Sequence, residues 1–414
     1  MNYFKLLFLI QTLSAMPSDF APAYFSEFNC PYAISEYQPK FAYRVIGFSA
    51  GLFNNSFTVR QYNRYFGTYL DHQAKVDILN SIPHQGFFFH GGANLEGLEI
   101  FLSRFSISIL GCGFIGLEIP KDIFDLALFG NQLNRYYSAA GFKNRTLAYW
   151  SGAIAYNSQI PSTNLAVGVR ARYLAGIYYF ETFETQGYLF TTPAFLVSEG
   201  EANYRRALGG NGFGCDLMLS YDFSPKLRTT LAFLNLNSGI KWTNNPQQGL
   251  YYFALDSLNW QRLRQGDFFY SNRTVTETVP FHTRLPFYLL LAADYQLGRS
   301  LIGSVLINQS FNESPLMRRA PIFATAIEFH GLAGNSFRIP IAIGISLGGK
   351  EKFGFSYRLG WVVKKFSGSL AFKDFGGCLF GAKGTTTIFT FGYNLTPAPK
   401  PKLTDLYLRG VPEK

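Results

Sequence analysis

Charge is scarce in this 414-residue chain: Asp, Glu, Lys and Arg make up 15% of it, and there are five histidines. Cysteine, methionine and tryptophan occur four times each. Cys30, Cys112, Cys215 and Cys378 stand far apart without C-x-x-C or zinc-finger spacing, which argues against a disulfide framework and a structural zinc site. His72, His84, His90, His282 and His330 form no H-E-x-x-H pattern, so no metal or cofactor is expected. Long apolar runs are missing as well. Beyond the N-terminus none reaches the roughly 18 residues that a membrane-crossing helix needs. The net charge of +11 is spread along the chain rather than clustered, and no nucleic-acid signature accompanies it. Nucleic acid is therefore not an expected partner, and lipid head groups or solvated loops account for the basic residues.

What the chain has in quantity is aromatic side chains and glycine: 43 Phe, 26 Tyr and 40 Gly, within a composition that is 48% hydrophobic. So apolar a chain either buries a large core or faces lipid. If it faces lipid without helical spans, a closed β-barrel is the remaining way to satisfy every backbone N–H and C=O.

The stretch GNGFGCDLMLSYDFSPKLRTTLAFLNLNSGIKW, Gly210–Trp242, reads as a hairpin. Phe213, Cys215, Leu217, Leu219 and Tyr221 fall on one face at period two, against Gly212, Gly214, Asp216, Met218 and Ser220 on the other. An aliphatic stripe with an aromatic at each end suits the two water interfaces of a bilayer. The same design recurs in Pro286–Leu297, where Phe287, Leu289, Leu291, Ala293 and Tyr295 share a face, and in the alternation from Phe337 to Leu347. It recurs again from Phe353 to Val363 and from Thr385 to Leu395. The opposite faces are mostly Gly, Ser and Ala with isolated charges, the composition of a crowded lumen rather than of a solvated sandwich face.

Fold class is thus all-β: a single antiparallel transmembrane β-barrel of about 14 strands, within a range of about 12 to 16, with a short helical plug or periplasmic insertion. Residues 1–15 resemble a signal peptide, 16–40 form an N-terminal extension, 41–396 the barrel, and 397–414 a basic, Pro-rich tail. Helical insertions are expected over 57–83, where Asp71 is a plausible N-cap, and over 120–131, opened by Pro120 and closed by Gly130. Pro193–Leu208 reads as a polar connection, and Thr243–Arg284 as two weak strands or an ordered external loop. The glycines at 111, 113 and 116 are expected to mark a bulge, a sharp bend or a close approach by another backbone, as of a wall against a plug.

Three stretches resemble a bacterial family of predicted outer-membrane barrels known only as a domain of unknown function. They are the Gly210–Trp242 hairpin, SFTVRQYNRYFGTYLDHQAKVDILNSIP and LEIPKDIFDLALFGN. That family is itself similar to long-chain fatty-acid transporter barrels and to accessory barrels of type IX secretion. The resemblance runs from about Phe41 to Leu395 and implies a cell-envelope barrel, with no catalytic or ligand residues to carry over. It departs at the C-terminus, where Tyr393-Asn394-Leu395 is followed by a tail instead of closing the chain, so insertion is expected to use an internal signal or the tail to dock elsewhere.

Chemistry is sparse. Gly47-Phe48-Ser49-Ala50-Gly51 matches G-x-S-x-G, yet it lies inside a strand and lacks the strand–turn–helix elbow that such a nucleophile needs, so no catalytic residue is assigned and the chain is read as a non-enzyme. Arg170, Arg172, Asp216, Asp294, Glu328, Arg338 and Arg358 fall on the inward faces. They either line a selective lumen or pair with one another to hold the wall in shape, and pairing is favoured because buried charges need partners. The expected function is passive passage or binding of small hydrophobic molecules by a monomer in the outer membrane of a Gram-negative-type bacterium, with membrane lipid and a hydrophobic small molecule as partners. The alternatives are a non-transporting barrel that acts as an interaction or secretion-accessory protein, and, more remotely, a barrel-embedded hydrolase at Ser49.

Overall fold

The computed structural model describes residues 42–394, apart from 103, 225, 267–268, 299–300, 312–320, 334–336, 349–351, 364–365 and 374–382. The expected signal peptide, N-terminal extension and C-terminal tail, with Cys30 and Cys378, lie outside the described residues.

In chain order the first elements are β1 (Ala42–Asn54), α1 (Val59–Tyr65), α2 (His72–Ser81), β2 (Phe87–Leu102), β3 (Phe105–Ile119), α3 (Lys121–Phe129), β4 (Tyr136–Ser138) and β5 (Lys143–Gln159). Then come β6 (Leu165–Thr191), β7 (Leu196–Ala207), β8 (Gly209–Ser224), β9 (Leu227–Asn244), β10 (Gln247–Leu258), α4 (Trp260–Gln265), β11 (Phe269–Glu277) and β12 (Phe281–Arg284). The last are β13 (Tyr288–Gln296), β14 (Leu301–Ser310), β15 (Ile322–Ala333), β16 (Phe337–Gly348), β17 (Lys352–Val363), β18 (Phe366–Lys373) and β19 (Gly384–Asn394).

Each wall strand pairs antiparallel with the next, through β1, β2, β3, β5, β6, β8, β9 and then β13 to β19. Pairing of β19 back onto β1, as at Phe389↔Phe48, closes a 14-stranded barrel. Closure removes every sheet edge from the wall, which a strand crossing lipid requires.

The period-two pattern places its oily face outward. Leu291, Val305, Phe323, Ile327 and Ile343 are exposed, while Ala292, Leu306, Ala324, Ala326 and Ala342 between them are buried. Aromatic pairs mark the margins: Phe105 with Tyr156 and Tyr221 with Phe223 near the tight turns, and Tyr173 with Phe213 toward the other end. Phe213 and Tyr221 are eight residues apart on β8, roughly 26 Å along the strand and about 20 Å of depth at a barrel's tilt of about 40°. An exposed aliphatic belt of that height is what a bilayer core demands.

The long connections gather at one end. β6 is 27 residues long and does not stop at the wall. On one side it pairs with β8 as far as Gly176 and with β7 from Tyr179 onward, while on the other it stays paired with β5 as far as Thr182. β4, the outer half of β6, β7, β10 and β11 thereby form a projecting antiparallel sheet that is continuous with the barrel wall through β6. Pro193–Leu208 is thus not merely a polar connection, since most of it is β7. Its Glu, Asn and Arg residues sit in a strand because the projecting sheet has solvated surface to put them on. The Thr243–Arg284 excursion supplies β10, β11 and β12.

Helices α1 and α2 hold no buried residue and lie in the connection from β1 to β2. Thr58 and Gln61 form a reciprocal capping box at the start of α1, and Asp71 caps α2 as its sequence predicts. Gly111 does admit a close neighbour, but that neighbour is a side chain of the wall itself: a Cβ there would lie 2.7 Å from the Trp150 ring.

Candidate functional site

The hairpin of β8 and β9 carries a kink. Phe213↔Gly239, Cys215↔Leu236 and Leu217↔Phe233 are successive partners, so β9 twice spends three residues against two of β8. Asn235 and Asn237 take up the slack with φ of 60° and 47°, a left-handed conformation that Asn tolerates better than most residues. On its other side β9 changes partner: Leu227–Leu234 faces β13, whereas Gly239–Trp242 faces β12. Between them the wall is joined by the Leu285 N–H to the Ser238 carbonyl at 2.9 Å and by Asn235 Nδ2 to the Pro286 carbonyl at 2.7 Å.

Asp216 pins this kink. Its Oδ1 accepts from the Asn235 N–H at 2.8 Å and from Arg172 Nη2 at 3.0 Å, while its Oδ2 accepts from Arg170 Nε at 2.6 Å. Arg172 also donates to the Asn235 side-chain carbonyl. All four side chains are buried.

Of the other inward residues predicted from sequence, Arg358 and Glu328 form an ion pair at 2.6 Å, and the Ser304 hydroxyl donates to Asp294 at 2.6 Å. Arg338 lies in β16 opposite Ala333 and Val362, and its side chain lies outside what the structure describes. Ion pairs thus join Arg170 and Arg172 to Asp216, and Arg358 to Glu328. Sequence reasoning did not single out Asn235, whose role depends on a left-handed backbone, although the Asn-Leu-Asn-Ser-Gly run is a signal for a bulge.

Above the kink, where β6 leaves the wall, Tyr179, Trp242 and Phe281 pack together, with ring centroids 5.4 Å apart for Tyr179–Trp242 and 5.5 Å for Tyr179–Phe281. The Trp242 ring lies over Gly176, where a Cβ would come within 2.6 Å of it, and its Nε1 donates to Thr283 at 2.8 Å. The Tyr179 hydroxyl accepts from Arg145 Nη2 at 3.0 Å and donates to Glu181 at 2.7 Å. Burial pushes that hydroxyl's pKa up.

The projecting sheet and α3 enclose an apolar groove of about 250 Å³. Ile123 and Leu126, three residues apart on one face of α3, form one side; Leu189, Ala202, Tyr251 and Phe253 form the sheet side. Gly187 and Gly200, direct partners in the sheet, keep the floor low, and a Cβ on Gly200 would come within 2.5 Å of the Phe253 ring. The polar face of α3 holds it in place. Asp125 pairs with Arg135, Asp122 accepts from the Ser138 N–H at 3.0 Å, and the Tyr137 hydroxyl donates to the Gly130 carbonyl at 3.1 Å.

Ser49 does not stand on the strand–turn–helix elbow that the G-x-S-x-G reading needs. It lies within unbroken β1, and its hydroxyl accepts from Asn94 Nδ2 at 3.4 Å. His90 stands opposite Phe53, four residues along β1 and therefore roughly 13 Å away, beyond the reach of a general base. Among the described residues no group of His, Cys, Asp and Glu is placed to hold a metal ion. Cys215 sits on the outer face between Phe213 and Leu217, as its pattern predicts, and is a free thiol.

Residues 33–204 match DUF5723, described as a family of unknown function. The match covers two of the three stretches that carry the sequence resemblance; the Gly210–Trp242 hairpin lies beyond it. No curated protein is matched by the sequence. Among solved structures, the chain is similar to the P. putida toluene transporter TodX at 10% identity, with a TM-score of 0.48 over 86% of this chain and 90% of that one. It is similar to a Pseudomonas aeruginosa FadL homologue at 9% identity, with a TM-score of 0.47 over 90% and 94%. The translocator domain of autotransporter NalP from Neisseria meningitidis, at 8% identity, has a TM-score of 0.31 over 87% and 90%. At such identities and scores the likeness assigns neither a ligand nor an activity.

Proposed function

We propose that this chain is an outer-membrane β-barrel that binds small hydrophobic molecules at its outer end and lets them pass passively. The observation that carries the proposal is the apolar groove between α3 and the projecting sheet, with Leu126 on one side and Phe253 on the other. At about 250 Å³ it matches a small ring system or a short stretch of acyl chain, and its apolar lining favours transfer of such a molecule out of water. Short turns face the periplasm and long connections the exterior in barrels of this kind, which puts the groove outside the cell. Transfer from groove to barrel would run down a partition gradient, past the kink where β9 changes partner from β12 to β13. Export by a signal peptide at 1–15 and a monomeric state belong to the same proposal.

The test is binding of a neutral fluorescent naphthylamine to the purified protein. Leu126→Glu should weaken it at least about tenfold, because a buried unpaired carboxylate opposes an apolar guest. Equal binding by the wild type and this variant would overturn the proposal.

A second reading, an interaction protein at the cell surface, is favoured by β11. Among the described residues it pairs only with β10, which leaves an edge from Phe269 to Glu277 open to a partner strand. Stoichiometric co-purification of a partner, lost in Thr274→Pro, would support that reading over passage.

A further inference from the structure

The lipid-facing side of the wall carries three basic side chains near its outer end. Lys241 in β9 and His282 in β12 are direct partners, and Arg284 is the partner of Gly239, two residues before Lys241 on β9. All three are exposed, whereas Ile240, Trp242, Phe281 and Thr283 between them are buried, so the three point away from the lumen. Direct partners bring side chains within about 5 Å and diagonal ones within about 7–8 Å, close enough for three long tips to converge on one small group. Gly239 makes the seat. A Cβ there would lie 2.4 Å from His282 Cε1, so the imidazole rests on bare backbone at the position that separates Phe213 from Arg284.

The surroundings set the depth of this group. In register, Arg284 and Gly239 continue into Phe213 and Tyr173, while His282 and Lys241 continue into Asn211, Ala175 and Trp150. Phe213, Tyr173 and Trp150 are all exposed, and such aromatics mark the water interface of a bilayer. The basic group thus stands where lipid phosphates lie, with the aliphatic belt beneath it. Its charge is not balanced by the protein. Among the described residues Lys241, His282 and Arg284 have no ion-pair partner, and their outward neighbours Asn211, Phe213 and Thr243 bring no acid.

We propose that Lys241, His282 and Arg284 bind the phosphate monoester of an outer-leaflet glycolipid, whose acyl chains then lie along the aliphatic belt. Charge selects the class. A phosphate monoester carries about −1.5 to −2 at neutral pH, which matches the fixed charges of Lys241 and Arg284, whereas the diester of a phospholipid offers less. Arg284 supplies a planar fork suited to phosphate, and His282 an imidazole N–H donor. Free phosphate would gain these bonds but none of the apolar contact below them. The site rests on the proposed orientation, in which the projecting sheet stands outside the cell, and it uses neither the groove nor the lumen.

Native mass spectrometry of the full chain in neutral detergent tests the site, with diphosphorylated lipid A, its dephosphorylated form, phosphatidylglycerol or inorganic phosphate added. The wild type should retain diphosphorylated lipid A, and Lys241→Gln combined with Arg284→Gln should lower its affinity at least about tenfold. Lys241→Arg combined with Arg284→Lys keeps both charges and should keep most of the binding. All these changes are at exposed positions, and an unchanged heat-modifiable shift shows that each variant folds. If the glutamine variant does not fold, the dephosphorylated lipid decides on the wild type alone. Basic side chains that merely reach for water predict equal retention of both forms of lipid A, and that result would overturn the proposal, as would wild-type affinity in the glutamine variant. Phosphatidylglycerol bound as tightly as lipid A would reject the monoester. Inorganic phosphate that displaces the lipid at equal concentration would reject a lipid as the ligand. Orientation has its own readout: a membrane-impermeant maleimide should label Thr243→Cys on intact cells above the wild-type background, and no labelling would remove the site from the outer leaflet. Naphthylamine binding with Leu126→Glu reads the groove independently, so the two proposals fail separately.

Discussion

The Asn235 N–H points at Asp216 Oδ1 from 2.8 Å, so a left-handed residue in β9 and a carboxylate in β8 hold the same kink from its two sides. That bond turns an irregular strand into a fixed one. Without the kink, β9 could not face β13 along one half and β12 along the other with its present register.

Asp216→Ala should therefore destabilise the barrel by about 3–5 kcal/mol, since it removes the carboxylate that two buried arginines and an amide share. The midpoint of the heat-modifiable shift on a denaturing gel measures this. A change under about 1 kcal/mol would mean that the kink is held by other contacts.

Gly176→Val should cost about 1–3 kcal/mol, because its side chain needs the space of the Trp242 ring. Near-UV circular dichroism should report the displaced indole, and a wild-type spectrum would contradict the packing.

Tyr179 makes stability depend on alkaline pH. Its hydroxyl has an ordinary pKa of 10.0, which burial raises in the folded state. Above about pH 10 the unfolded chain releases a proton that the folded chain keeps, so stability is complete below that pH and falls as pH rises. Tyr179→Phe should flatten this part of the profile. Parallel curves for the two proteins between about pH 10 and 11.5 would refute the assignment.

Val305 points outward from β14 and is 52% exposed. Val305→Arg should cost about 2–4 kcal/mol in a bilayer, whereas Thr274→Arg on the exposed edge of the projecting sheet should stay within about 0.5 kcal/mol. Folding yields in lipid vesicles compare the two, and equal tolerance would argue that the belt does not face lipid.

The fold was legible where its signal is local. Alternation in Gly210–Trp242 and in the C-terminal strands assigned the outward and inward faces correctly, because side-chain direction in a strand depends only on position along it. Helix α3 was legible for the same reason, with Pro120 and Gly130 marking its ends. The projecting sheet was harder to read. Its strands are two-sided and polar, so β7 resembles a connection until β10 pairs with it.

By itself, then, the sequence determined that this chain is a barrel with an oily exterior and a small-residue, sparsely charged interior. Only the tertiary structure decided that Arg172 meets Asn235, 63 positions away, and that Ile123 faces Phe253 across a groove. The physical reason is that period-two patterning tells each residue which face it occupies. Which residues share a site depends on strand order and register, and these emerge when separate segments pair around a closed wall.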